Sequence, residues 1–146
     1  MFFKPKSQEI IFKDQRRKRK LSIPDKIPLL QRVQTIKILG VTFTSSLSVT
    51  LHVQSVIAAC AQTLHARRVL RKHGLCDDSL HDVFRAVAVA KLMYASNAWW
   101  GFSNANDRQK IFAFILRCVR TGFCSPDLAD FHDLYISSDK KLFNKI

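Results

Sequence analysis

The chain has few acidic residues for its many basic ones. Its 146 residues include 24 Lys and Arg against 11 Asp and Glu, which gives a formal net charge of +13. A domain with this excess of positive charge usually meets a polyanion, so nucleic acid is the first partner to expect and an anionic membrane surface the second. The alternative is a basic protein without a particular partner, because net charge informs on partners and not on fold.

Glycine and proline are also scarce, with four of each, while 47% of the residues are apolar and eleven are Phe. Disordered and low-complexity chains have the opposite composition. The length is that of one ordinary domain, and the apolar content favours a packed core.

Paired cysteines are absent. None of the four cysteines forms a C-x-x-C pair, so no disulfide framework is indicated and a reducing compartment is favoured. Cys60 and Cys118 fall on the apolar faces of predicted helices, where a thiol behaves as a small hydrophobe. His73 and Cys76 are three residues apart, but no second pair stands at zinc-finger spacing, so we predict no metal site.

No segment resembles a signal peptide or a membrane span. The start of the chain has no apolar core of the required length, and apolar stretches such as Ala86–Ala90 are too short to cross a bilayer. We therefore expect an intracellular protein, nuclear or cytoplasmic, without a membrane partner.

The first 46 residues favour β structure interrupted by a basic loop. Residues 7–12 are typical of a short strand, and residues 13–28 of a loop, because like charges repel and two prolines oppose a helix. Residues 32–44 are rich in β-branched side chains. They predict either a strand pair or a bent strand, interrupted at Gly40.

From Val49 onward the apolar residues recur at spacings of three and four, which indicates helices. Pro126 and Asp127 open a short fourth element, and a frayed helix is predicted from about Ser138. The predicted buried faces are Val53, Val56, Ile57, Cys60, Ala61 and Leu64 in the first helix; Leu80, Val83, Phe84, Val87 and Lys91 in the second; and Ile111, Phe114, Ile115 and Cys118 in the third.

Capping residues set the expected ends of these helices. The predicted caps are Ser48 or Thr50 and Gly74 for the first helix, Asp77 or Asp78 at the start of the second, and Asn104 or Asn106 and Gly122 for the third.

The predicted fold is therefore α+β and mostly α. It has a β segment over residues 1–46 and a bundle of three to four helices over residues 47–146.

Catalytic motifs are missing. Polymerase chemistry needs clustered carboxylates for two Mg²⁺ ions, and the only adjacent acidic pair, Asp77-Asp78, stands where a helix cap is expected. No phosphate-binding loop and no dinucleotide fingerprint occur. We predict no catalytic residue, no metal ligand and no cofactor.

Two basic clusters are the candidate nucleic-acid contacts. The first cluster, at residues 16–20, is typical of a nuclear localisation signal, of a phosphate-contacting arm or of a solvated loop. The second lies at the end of the first helix, where it either follows a nucleic-acid backbone or complements the helix dipole. The candidates are Arg16, Arg17, Lys18, Arg19 and Lys20 in the first cluster and Arg67, Arg68, Arg71 and Lys72 in the second.

Trp99 and Trp100 follow the apolar stripe of the second helix. Indole rings can stack on bases, but rings that continue an apolar stripe are more often part of the core. We predict a packing role for both.

An ordered set of short segments runs through residues 4–122. Its early part resembles the reverse transcriptases of LINE-type, non-LTR retrotransposons of the jockey and related clades, in which a Lys-x-Leu-Gly-Val segment precedes a helix with a histidine. The segments that carry the resemblance are Lys6–Phe12, Pro28, Ile36–Val41, Leu47, His52, Val83–Arg85, Leu92–Ala95 and Ala98–Trp100.

The resemblance implies that residues 6–12 are a late palm strand, residues 36–43 the primer-grip region and residues 50–121 the helices of the thumb. The thumb of such polymerases holds the template–primer duplex by its backbone. The fingers and the catalytic Asp-Asp hairpin of that family would precede Met1, so no metal ligand is carried over to any position here. Mg²⁺ would serve only a complete polymerase.

The predicted function is that of a reverse transcriptase fragment that retains non-specific binding of RNA or of an RNA–DNA duplex. Three alternatives stay open. The chain is a helical protein-interaction module, a piece that acts in trans with a separate palm, or a transposon remnant without function.

Overall fold

Two short β pairs precede a series of helices in this computed structural model, which describes residues 7–13, 22–128 and 130–144. The fold is α+β and mostly α, as predicted. The strands are β1 (Gln8–Glu9), β2 (Gln31–Arg32), β3 (Thr35–Ile38) and β4 (Val41–Thr44). The helices are α1 (Thr50–Lys72), α2 (Asp77–Phe84), α3 (Ala90–Met93), α4 (Ser96–Trp99), α5 (Ala105–Arg120) and α6 (Phe131–Phe143), with a π-helical turn at Arg85–Val89 and a 3₁₀ turn at Trp100–Phe102.

The chain divides into two compact units, one up to His52 and one from Val53 onward. The dividing point lies in the first turn of α1, whereas the sequence placed a boundary after residue 46. None of the described helices is long and apolar enough to cross a membrane.

In the first unit, β3 and β4 form an antiparallel hairpin. Its two turn residues, Leu39 and Gly40, have φ values of 46° and 88°. Positive φ at both positions is typical of a type I′ turn, whose twist matches that of the strands. The strand pair is thus the correct one of the two predicted alternatives. Gly40 adopts this backbone freely, whereas the Cβ of Leu39 makes it unfavourable.

The strand predicted over residues 7–12 is shorter in the structure. Only β1 pairs, in parallel with β2. Glu9 and Arg32 lie opposite each other, and the Arg32 Nε and Nη2 atoms donate to the two carboxylate oxygens at 3.0 Å each. These bonds lower the pKa of Glu9. The strand ends early because the chain turns away to the hairpin, where the Lys13 N–H donates to the Ser45 carbonyl at 2.8 Å.

α1 begins and ends near its predicted caps. The Ser48 hydroxyl accepts from the Thr50 N–H at 3.3 Å. At the other end Gly74 has a φ of 87°, the Gly74 N–H donates to Arg71, and the Leu75 N–H donates to Leu70. This pair of bonds is the Schellman arrangement. Of the predicted buried face, Val53, Cys60 and Leu64 are buried, Val56 and Ile57 are half-buried, and the prediction for Ala61 is wrong because it is exposed.

Asp77 and Asp78 do not cap α2, so that prediction is wrong. The capping position belongs to Cys76, whose side chain makes no capping bond to a backbone N–H. Asp77 and Asp78 are instead the first two residues of α2, in its first turn. Negative charge in a first turn is still favourable, because it meets the positive end of the helix dipole.

A stripe with a strict four-residue spacing runs through α2, the π turn and α3. Leu80, Phe84, Ala88 and Leu92 are each at most 1% exposed. In an α-helix four residues turn about 400°, so such a stripe drifts by about 40° at each step. The wider π turn, with its i→i+5 bonds, takes back this drift. The predicted stripe assumed a regular helix and is wrong for Lys91, which is exposed.

α5 follows the sequence closely. The Asn104 side chain accepts from the Asp107 N–H at 2.8 Å, and Asp107 accepts from the Asn104 N–H at 3.4 Å. This is a capping box. The four predicted core residues, Ile111, Phe114, Ile115 and Cys118, are all buried. Gly122 ends α5 with a φ of 69°.

α6 is a single helix that begins at Phe131, whereas the sequence predicted a short element from Pro126 and a separate helix from Ser138. The helix begins at Phe131 because its first turns pack against Trp100. The rings of Phe131 and Tyr135, one helical turn apart, lie 5.0 and 5.4 Å from the ring of Trp100. Trp99 and Trp100 are 1% and 6% exposed, which confirms their packing role.

The Leu39→Asn substitution should stabilise the hairpin. A leucine with positive φ is strained by about 1 kcal/mol, and asparagine tolerates that backbone, so we expect the thermal midpoint to rise by about 2–4 °C. Leu39 is 87% exposed, so little packing is lost. The control is Leu142→Asn, which removes an exposed leucine (48%) from α6 and should give no gain. An equal gain in both variants would contradict the strain at residue 39.

His52 should make the stability fall in mild acid. Burial lowers the pKa of His52, and the charge of Lys37 lowers it further. The unfolded chain then binds the proton more tightly, so this stabilisation is complete above about pH 6.5 and is lost as the pH falls through the lower folded value. Urea unfolding between pH 7 and 5 should show the loss, and His52→Gln should flatten it. The control His65→Gln, at an exposed position of α1, should keep the wild-type slope.

Candidate nucleic-acid interface

Three arginines of the predicted basic helix end surround one aromatic ring. The guanidinium carbons of Arg67, Arg68 and Arg71 lie 5.2, 5.9 and 5.3 Å from the ring centroid of Phe123. Phe123 follows Gly122 directly after α5 and is 3% exposed. We call these four residues the Phe123 cluster.

Arg67 is the exception to the predicted exposed face. Its side chain is 0% exposed, and its guanidinium also lies 5.5 Å from the ring of Phe84. Nη1 donates to the Phe123 carbonyl, while Nε and Nη2 have no hydrogen-bond partner among the described residues. Arg67 is therefore buried and does not lie on the exposed face expected for the basic cluster, because it continues the buried stripe of α1 three residues beyond Leu64.

The surroundings of Arg67 explain how a buried charge is tolerated. Burial lowers the pKa of Arg67, and the neighbouring charge of Arg71 lowers it further. Arginine nevertheless stays protonated in proteins. The negative faces of two rings and the carbonyl end of α5 stabilise the charge from several sides.

Arg71 is exposed but held in place. Its Nη2 atom lies 2.9 Å from the Asp77 carboxylate and donates to the Gly122 carbonyl at 2.9 Å. Arg68 and Lys72 are exposed as well, and no carboxylate of the described residues forms an ion pair with either. Arg68, which contacts the Phe123 ring, and Lys72 are thus the cations of the predicted helix end that have no carboxylate partner among the described residues.

A cavity of about 740 Å³ opens beside Arg71, and Cys76, Asp77, His81 and Cys124 line part of it. The exposed Cys76 thiol lies 3.1 Å from the Ser79 hydroxyl, and this hydrogen bond lowers its pKa. A serine hydroxyl is not a base, so this contact does not make a nucleophile–base pair.

The other thiols are buried. Burial raises the pKa of Cys60 to about 11 and that of Cys118 to about 12, so both stay protonated near neutral pH. Within residues 7–13, 22–128 and 130–144, no three His, Cys, Asp or Glu side chains are grouped so that they could hold a metal ion.

The first predicted basic cluster, Arg16–Lys20, lies outside the described residues. Its role stays a prediction.

A second basic feature lies along α5 and was not predicted. Lys110 and Arg117 line a cavity of about 370 Å³ whose other wall is formed by Gln54, Ile57 and Ala58 of α1. The α1 sequence contains no acidic residue, and the single acid of α5, Asp107, is buried in its capping box. The spacing of seven between Lys110 and Arg117 was a usable signal, because it places both on one helix face.

Arg67 and Arg68 should separate structure from binding. Arg68→Glu should weaken binding of a labelled RNA–DNA duplex and reduce the slope of log K against log salt by about 1. Arg67→Met should leave both values unchanged, while it destabilises the fold by about 1–3 kcal/mol because the Phe123 carbonyl loses its partner. Fluorescence anisotropy gives the binding and urea titration the stability. A folded Arg67→Met variant that binds as poorly as Arg68→Glu would contradict the buried, purely structural role of Arg67.

In a comparison with known proteins, no family model, no curated protein and no solved structure matches the chain.

Proposed function

We propose that this chain binds the phosphate backbone of a nucleic-acid duplex along α1 and α5, and that it derives from the thumb of a non-LTR retrotransposon reverse transcriptase. The observation that carries the binding proposal is an exposed, acid-free line of residues on α1. It consists of Gln54, Ala58, Ala61, His65, Arg68 and Lys72, all exposed.

The spacing of this line suits a linear polyanion. Steps of four and three residues keep all six positions on one side of the helix. From Gln54 to Lys72 the line is about 27 Å long, which spans several phosphates of one strand. The side chains of Ala58 and Ala61 are small, so a backbone can approach α1 closely there.

α5 supplies the second half of the surface. Its cations Lys110 and Arg117 stand across the shared cavity from Ala58. We call Arg68, Lys72, Lys110 and Arg117 the basic surface. Among the described residues no carboxylate forms an ion pair with any of these four cations. Unpaired cations bind phosphate with release of counterions and without a competing carboxylate.

The proposed origin is supported by the ordered segments of the sequence and by helical structure over the part that the resemblance assigns to the thumb. The segment assigned to the primer grip, residues 36–43, lies within the β3–β4 hairpin. Backbone binding without base readout is also what a thumb fragment would retain.

The test is a pair of charge reversals with the same change in net charge. Lys110→Glu/Arg117→Glu alters the basic surface, whereas Lys140→Glu/Lys141→Glu alters exposed residues of α6. Filter binding of an RNA–DNA duplex over a range of salt concentrations gives the slope of log K against log salt. The first variant should lose about 1.5 from this slope and at least about tenfold in affinity at low salt, because each phosphate contact contributes about 0.7–0.9.

The α6 variant should keep nearly the wild-type slope, since the charge change is the same and only the position differs. Replacement of Arg16–Lys20 by alanines measures the share of that segment separately. Equal losses in both charge-reversed variants would reduce the effect to net charge, and a wild-type chain with a flat salt response would remove the proposal altogether.

A further inference from the structure

An aromatic pocket lies between the beginnings of α5 and α6. It has a volume of about 300 Å³, and the rings of Trp100, Phe112, Phe131 and His132 line it. Trp100 and Phe131 are buried and belong to the core, whereas Phe112 is 53% exposed on α5. A large ring exposed beside a pocket is a surface on which a planar ligand can stack.

Polar groups complete the pocket. Arg108, Gln109 and Asp130 also line it. The Arg108 guanidinium lies 5.1 Å from the Trp100 ring, and its Nε atom donates to the Ser103 hydroxyl at 3.0 Å. Arg108 is therefore held on the indole face, where a cationic ligand would otherwise bind.

Asp130 stands at the capping position of α6, yet its side chain makes no capping bond. The carboxylate has no partner among the described residues, in contrast to the carboxylate of Asp107, which accepts from the Asn104 N–H in the capping box of α5. A carboxylate at a helix start that is not used for capping is available to accept from a ligand.

These features select the class of ligand. Rings for stacking suit a flat heterocycle, and Asp130 and Gln109 suit one whose edge carries hydrogen-bonding groups. A carboxylate only accepts, so it favours a base with two adjacent N–H donors, as on the edge of guanine. The pocket volume accommodates one base.

We propose that this pocket binds an unpaired guanine base, with Phe112 as the stacking ring and Asp130 as the acceptor of its N–H groups. The base comes either from a free nucleotide or from a strand. The strand source rests on the proposed function. Around α5, Gln109 lies about 100° and Phe112 about 160° from Lys110, so a strand that reaches both the basic surface and the pocket passes around the helix.

The test uses guanosine monophosphate and saturation-transfer NMR on the full chain. The base proton H8 should receive saturation from the wild type, lose it with Phe112→Ala and keep it with Phe143→Ala. Both substituted rings are exposed, at 53% and 66%, so neither change removes core packing. Asp130→Asn should abolish the preference for guanosine over adenosine monophosphate and still permit stacking.

A second experiment tests whether the bound base can come from a nucleic-acid strand. It compares an eight-residue thymidine strand with a central dG against the same strand with an abasic site at that position. Phe112→Ala should weaken the dG strand at least about fivefold without changing its salt slope and should leave the abasic strand unaffected. Reversal of the basic surface changes the salt slope in this assay and leaves the nucleotide signal intact, so the two proposals fail separately.

Three results would overturn the pocket assignment. One is equal saturation of H8 in the wild type and both Phe variants. Another is saturation of the ribose protons alone, which means capture by the phosphate. The third is saturation of N-acetylphenylalaninamide, added at equal concentration, with none on the nucleotide, which means that the pocket fits a protein side chain.

Discussion

The helical unit is organised around a buried guanidinium that has no carboxylate partner among the described residues. Arg67 of α1 contacts Phe84 at the end of α2 and both the ring and the carbonyl of Phe123 beyond α5. Burial of a charge without a counter-ion costs several kcal/mol. Two aromatic faces and a charge-assisted hydrogen bond offset that cost only if all three segments are in place. The side chain thereby makes the arrangement of three helices interdependent.

This constraint separates two kinds of arginine within one basic run. Arg67 and Arg71 are held by carbonyl oxygens beyond α5, and Arg71 also by Asp77, so their charges serve the fold first. Arg68 lies about 100° from Arg67 around the helix and is exposed, and its guanidinium contacts only the Phe123 ring, at 5.9 Å, without an ion pair among the described residues. A run of positive charge in a sequence thus mixes residues that are held by the fold with residues that are not, and burial together with hydrogen-bond partners tells them apart.

Local signals predicted much of the fold. The break at Gly40, for which a strand pair was one of two alternatives, the cap at Asn104, which was one of two candidates, and the helix ends at Gly74 and Gly122 each depend on a few neighbouring residues, and these agree with the structure. The misses depend on distant contacts. The burial of Arg67 requires two rings from other segments, and the early start of α6 requires Trp100. Half of the basic surface was likewise not predicted. The sequence places Lys110 and Arg117 on one face of α5, but it does not show that this face lies beside α1.

The π-helical turn at Arg85–Val89 has a consequence for how the chain tolerates insertions and deletions. Removal of one residue there would restore a regular α-helix. Leu92 would then stand seven residues from Phe84, and seven residues of an α-helix turn about 700°, so both side chains would stay on one face. The π turn is therefore a place inside a helix where the chain can lose a residue without moving the buried face that follows, whereas a deletion elsewhere in the helix would rotate that face by about 100°.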